Sequence, residues 1–129
     1  MDTIKVQKNQ VFDTQKLHNY LKSNLNLTYT IDSFVISQFI HGQSNPTFLI
    51  VINGKKIVLR KKPNGNLLKG AHQIDREFKI ISSLYKERFP VPEPLLYCND
   101  QSVIGTEFYV MSYVEGRIFS FFLPFFINL

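Results

Sequence analysis

Leu17, Tyr20, Leu21 and Leu25 recur at three- and four-residue intervals, a spacing that predicts an amphipathic helix over Asp13 to Asn24. Asp13 or Thr14 can cap it, because a short polar side chain satisfies backbone N–H groups that the first turn leaves free. The period then shortens. Phe34 to Phe39, Thr47 to Ile52 and Lys56 to Arg60 are β-prone runs, the last two joined by Asn53 and Gly54, a dipeptide that accepts positive φ and marks a hairpin. A loop with Pro63, Asn64 and Gly65 as breakers covers Lys62 to Gly70. From Ala71 to Lys86 the helical period returns, with Ile74, Phe78, Ile81 and Tyr85 on one face and Asp75, Arg76, Glu77 and Lys79 spread over the others. The prolines between Phe89 and Leu95 end that helix and extend the chain. Leu95 to Cys98 and Glu107 to Tyr113 give a second strand pair. Helix, three strands, helix, two strands is an α+β plan: an antiparallel five-stranded sheet with one long packed helix.

Composition narrows the class. A length of 129 residues means one domain or part of one, and 44% hydrophobic with 19% charged residues is globular usage. Fifteen Lys and Arg against ten Asp and Glu leave +5, which suits an anionic ligand such as a nucleotide. The basic run from Lys55 to Lys62 has little aromatic interleaving, so no nucleic-acid partner is expected. One cysteine, Cys98, excludes a disulfide framework and a Cys-rich zinc module within the chain, and reads as a small core residue. His18, His41 and His72 show no metal-ligand spacing. Met1 to Gln10 lacks the apolar run of a signal peptide. Ile118 to Leu129 is nearly all apolar, but Pro124 interrupts it and it falls short of the roughly 20 residues of a membrane span.

The candidate chemistry is a charge pair. Strand alternation puts Val58 and Arg60 on one face and Leu59 on the other. Glu77 follows on the second helix. A strand cation fixed by a helix carboxylate is how kinase-like folds position ATP. The competing reading is a solvated strand among Lys55, Lys56, Lys61 and Lys62, whose exposed charges mean little. The turn from His41 to Pro46 has one glycine, Gly42. It reads either as a phosphate-covering turn or as a plain hairpin connection.

Five segments in order resemble the aminoglycoside-phosphotransferase-type kinase fold: Val58 to Pro63, Gly70 to Phe78, Phe89 to Leu95, Ser102 to Met111, and Val114 to Phe119. Ser44 to Phe48 and Val103 to Tyr109 are closer still to the kinase-like N-terminal domains of the acyl-CoA dehydrogenase family. The resemblance implies the N-terminal lobe of a protein-kinase-like fold over residues 12–119, preceded by a tail (1–11) and followed by a divergent Phe-rich tail (120–129).

It also implies a nucleotide-binding set. Gly42, Gln43, Ser44 and Asn45 form the covering turn, and Arg60 is the cation that grips ATP. Glu77 is its helix partner, and Met111, Ser112 and Tyr113 form the linker whose backbone holds adenine. ATP and Mg are the implied cofactors of a complete family domain, while FAD belongs to a dehydrogenase domain with no counterpart here. Long relatives are implied to phosphorylate 4-hydroxyacyl-CoA in fatty-acid β-oxidation, so acyl-CoA is a substrate of those relatives, in peroxisome or mitochondrion. The catalytic Asp loop and the metal-binding Asp belong to a second lobe, and nothing after Phe119 matches them. The expectation is therefore a truncated nucleotide-binding lobe, intracellular, with no catalytic or metal-ligating residue. The alternative is an interaction module or truncated isoform that binds a partner or membrane surface. For the Phe-rich tail, self-association is favoured over folding back on the sheet or insertion at a membrane surface.

Overall fold

A computed structural model describes residues 3–40, 45–63 and 74–115. The first helix, α1 (Thr14–Asn24), starts where a cap is available. Asp13 Oδ1 accepts from the N–H groups of Gln15 and Lys16 at 3.0 and 3.1 Å. The helix ends at Asn24, and beyond it a φ of 53° at Asn26 lets the Leu27 N–H reach back to the Lys22 carbonyl at 3.1 Å.

Among the described residues six strands form one antiparallel sheet: β1 (Thr3–Ile4), β2 (Phe34–Phe39), β3 (Thr47–Ile52), β4 (Lys55–Lys61), β5 (Pro94–Cys98) and β6 (Phe108–Ser112). Their order across the sheet is β1-β2-β3-β4-β6-β5. The expected five strands thus become six. Thr3 and Ile4, expected in a tail, pair with Phe39 and Gln38, and the Gln7 N–H donates to Gln38 Oε1 at 2.9 Å. A two-residue edge strand in polar sequence has no period to betray it.

The β3–β4 hairpin forms as expected. Asn53 and Gly54 take φ of 49° and 83°, so Ile52 faces Lys55 and the register carries Thr47 opposite Arg60. The Asn53 side chain also ties down the approach to β2. Its Oδ1 accepts from the Asp32 and Ser33 N–H groups, and its Nδ2 donates to the Thr30 carbonyl at 2.8 Å.

Alternation along the strands separates two apolar layers. Leu17 and Leu21 of α1 pack with Phe48, Ile50, Leu59, Phe108, Val110 and Cys98 on one face. On the other, Ile74 and Ile81 of α2 (Ile74–Lys86) pack with Val58, Tyr109 and Met111. Each face therefore carries a helix, where one packed helix was expected. The reason is that α1 is amphipathic enough to bury Leu17 and Leu21 completely. On α2, Glu77 turns inward with Ile74 and Ile81 instead of lying on a polar face, and Tyr85 in the last turn is exposed. Residues 71–73 of the expected helix lie outside the described residues. His18 packs edge-on against Phe34, ring centroids 5.0 Å apart. Among the described residues no helix is long and apolar enough to cross a membrane.

Candidate functional site

Arg60 leaves β4 towards α2, on the same face as Val58. Glu77, one turn into α2, meets it in a fork. Nε donates to Oε1 at 2.8 Å and Nη2 to Oε2 at 3.1 Å. Arg60 and Glu77 are 1% and 2% exposed, so the reading of Arg60 as a solvated strand charge fails. A buried charge is tolerable only when it is paired and its remaining polar atoms are satisfied. Here the neighbours supply that. Arg60 Nη1 donates to Thr47 Oγ1 at 2.9 Å, and that hydroxyl donates to the Asn45 carbonyl at 3.0 Å. Asn45 Nδ2 donates to Glu77 Oε2 at 2.9 Å, and the Tyr109 hydroxyl donates to Oε1 at 2.9 Å. Each carboxylate oxygen thus accepts two hydrogen bonds, the capacity of an ionised carboxylate.

The electrostatics follow from this burial. Burial works against the Arg60 charge, yet Tyr109 and the Glu77 carboxylate together hold its pKa above the ordinary value. Burial raises the Tyr109 phenol well above its usual range, with Arg60 opposing and Glu77 reinforcing the shift. The phenol therefore stays a donor through neutral and mildly alkaline pH.

A second polar group flanks the first on the same sheet face. Lys62 Nζ lies 2.8 Å from Glu107 Oε1, and the Tyr97 hydroxyl donates to Glu107 Oε2 at 2.7 Å. Phe78, beside Glu77 on α2, packs against both tyrosines, 5.7 Å from Tyr97 and 5.6 Å from Tyr109.

Of the residues expected in a nucleotide site, the fold brings Asn45, Arg60 and Glu77 together. Met111 and Ser112 are the last residues of β6, opposite Val58 and Ile57. Met111 is buried in the layer beneath α2. The Ser112 N–H already donates to the Glu93 carbonyl, and its hydroxyl accepts from the Glu93 N–H. Tyr113 follows the strand, with Lys56 Nζ 5.0 Å above its ring. Gly42, Gln43 and Ser44 lie outside the described residues, as does the Phe-rich tail.

Sequence reasoning missed Thr47 and Tyr109. The two-residue turn at Asn53 and Gly54 could have placed Thr47, since counting back from it sets Thr47 opposite Arg60. Nothing local announces Tyr109, because β6 reaches β4 only after α2 and β5 have intervened. Among the described residues no group of three or more His, Cys, Asp or Glu is placed to hold a metal ion, and both Glu77 oxygens are taken by protein donors.

Comparison with known proteins bears on the family and the fold. The model of the phosphotransferase enzyme family matches residues 35–121. Acyl-CoA dehydrogenase family member 11 of Mus musculus is 51% identical over 121 residues, covering 92% of this chain and 15% of that protein. The Homo sapiens protein of the same name is 49% identical over 120 residues, again 92% of this chain and 15% of that one. This chain therefore spans about 15% of the length of these curated relatives. Among solved structures, a protein from Ralstonia eutropha assigned as an aminoglycoside phosphotransferase superposes with a TM-score of 0.68 at 34% identity. The match covers 83% of this chain and 29% of that one.

Proposed function

The chain belongs to the phosphotransferase enzyme family, and from that premise we propose that it is the nucleotide-binding lobe of an ATP-dependent small-molecule kinase. The observation that carries the reading is the buried fork between Arg60 on a strand and Glu77 on a helix. Phosphoryl transfer is chiefly positioning and charge stabilisation, and a guanidinium held rigidly by a carboxylate is suited to phosphate oxygens. On this reading Gly42 to Asn45 cover the phosphates, Arg60 contacts them, and the backbone around Met111 to Tyr113 receives adenine.

Binding and transfer are separable. In a complete phosphotransferase domain a second lobe supplies the base and the metal ligands, so this lobe alone binds nucleotide without transferring phosphate. The acceptor in longer relatives is proposed to be the hydroxyl of a 4-hydroxyacyl-CoA, phosphorylated so that it can leave. Similarity to proteins named for acyl-CoA dehydrogenation supports that choice.

Calorimetric titration tests the proposal. The full chain should bind ATP more tightly than adenosine, and Arg60→Met should weaken ATP by about tenfold, the worth of one charge-assisted contact, with adenosine unchanged. Equal ATP affinity in wild type and Arg60→Met would refute it.

A further inference from the structure

We infer that Tyr109 is a positioning residue: its hydroxyl holds the Glu77 carboxylate in the plane that orients the Arg60 fork. The consequence for phosphate binding rests on the nucleotide-binding reading; the orienting role itself does not.

Three observations carry it. Tyr109 sits directly opposite Arg60 in the β4–β6 register, and the two donors converge on one atom, Glu77 Oε1, at 2.9 and 2.8 Å. Tyr109 is fully buried, and Phe78 packs its ring at 5.6 Å, so the hydroxyl has little freedom to turn elsewhere. The other protein donor to this carboxylate besides Arg60, Asn45, comes from the segment that leads into β3 and serves Oε2. Tyr109 therefore ties Glu77 to β6, an interior strand of the sheet, on the oxygen that Asn45 does not serve. A planar guanidinium follows the carboxylate plane through its two parallel bonds, so whatever fixes Glu77 fixes Arg60.

A residue that merely fills space would leave the fork unmoved when its hydroxyl is removed. The test uses Tyr109→Phe in the full chain, with two readouts. Solvent exchange of the Arg60 Nε–H, followed by nitrogen-15 NMR without nucleotide, should accelerate by roughly tenfold, the factor set by one hydrogen bond to a charged group. ATP affinity should fall by about three- to tenfold while adenosine affinity holds. Unchanged Nε–H exchange overturns the inference, and so does an equal loss for ATP and adenosine. If wild type binds neither compound, the nucleotide reading fails, and exchange alone decides the positioning role. A chain carrying 4-fluorophenylalanine in place of Tyr109 keeps the volume and removes the donor, and should behave as Tyr109→Phe does. Failure of both variants to fold would make Tyr109 a structural residue and end the proposal.

Discussion

Arg60 and Tyr109 stand opposite each other on neighbouring antiparallel strands and both donate to the same oxygen, Glu77 Oε1. A cation and a phenol thus share one acceptor in a layer where Arg60 and Glu77 are almost wholly shielded from water. The arrangement makes the carboxylate the centre of the site, with Arg60, Tyr109 and Asn45 as its satellites.

Removing that centre should therefore be costly. Glu77→Ala leaves a buried, uncompensated guanidinium, and urea denaturation should show a loss of about 3–5 kcal/mol. The double variant Arg60→Leu with Glu77→Leu removes both charges and should lose less than Glu77→Ala alone. A double variant as unstable as the single one would contradict this account of desolvation.

Lysine should not replace Arg60 well. An ammonium cannot reach both Glu77 oxygens and Thr47 Oγ1 in one plane, as the guanidinium does. Arg60→Lys should cost about 1–2 kcal/mol of stability, and Thr47→Val about 1 kcal/mol in the wild-type background. In the Arg60→Lys background, Thr47→Val should cost less. A double-mutant cycle measures that coupling, and strict additivity would show that the Thr47 contact is idle.

The opposite sheet face predicts a pH dependence. Burial lowers Lys61 from 10.5 to about 8, with Nζ donating to Gln10 Oε1 and the Lys62 carbonyl. Between about pH 8 and 10.5 the unfolded chain binds a proton at Lys61 that the folded one has released, so this group's contribution to stability rises with pH, by at most about 1.4 kcal/mol per unit. Above pH 10 the sign reverses. Burial, with their hydrogen bonds, pushes Tyr20 up to about 12 and raises Tyr97 and Tyr109, so the folded chain retains protons that unfolded tyrosines lose. Denaturation across this range should give a maximum near pH 10. Lys61→Met should flatten the rising limb and leave the falling one.

Two positive-φ positions should respond oppositely to substitution. Gly54 has φ 83° with open space where a Cβ would stand, so Gly54→Ala carries a backbone cost alone, about 1 kcal/mol. Arg88 has φ 65° where α2 ends, with the Phe89 N–H bonded to the Leu84 carbonyl and the Arg88 N–H to that of Tyr85. That geometry favours glycine, so Arg88→Gly should stabilise the chain by about 0.5–1 kcal/mol. Thermal melts of both variants check the signs.

Local signals carried much of this structure. The cap at Asp13, the turn at Asn53 and Gly54, and the alternation through Val58, Leu59 and Arg60 all act over a few residues, and all three appear as read. The kinase-like lobe was legible because its segments come in a fixed order. Glu77 was legible as the partner of Arg60 through that order of segments, although helical period alone treats any carboxylate as polar and cannot see a cation waiting beneath. Tyr109 stayed hidden because its role depends on which strand lies beside β4, and that pairing is set by the whole sheet.

The sequence separations within the site bear on the order in which the chain can fold. Arg60 meets Thr47 across 13 residues and Glu77 across 17, whereas Tyr109 and Asn45 each reach Glu77 across 32. Contacts of short separation close first, because less chain entropy is lost in forming them. The hairpin can therefore form with Arg60 still hydrated, and the ion pair can lose its water only after α2 and β6 have docked. During synthesis β6 emerges after all its partners in this network. Until it does, the β4 edge that it covers stays open, and that interval is when an unfinished chain is most exposed to mispairing with another.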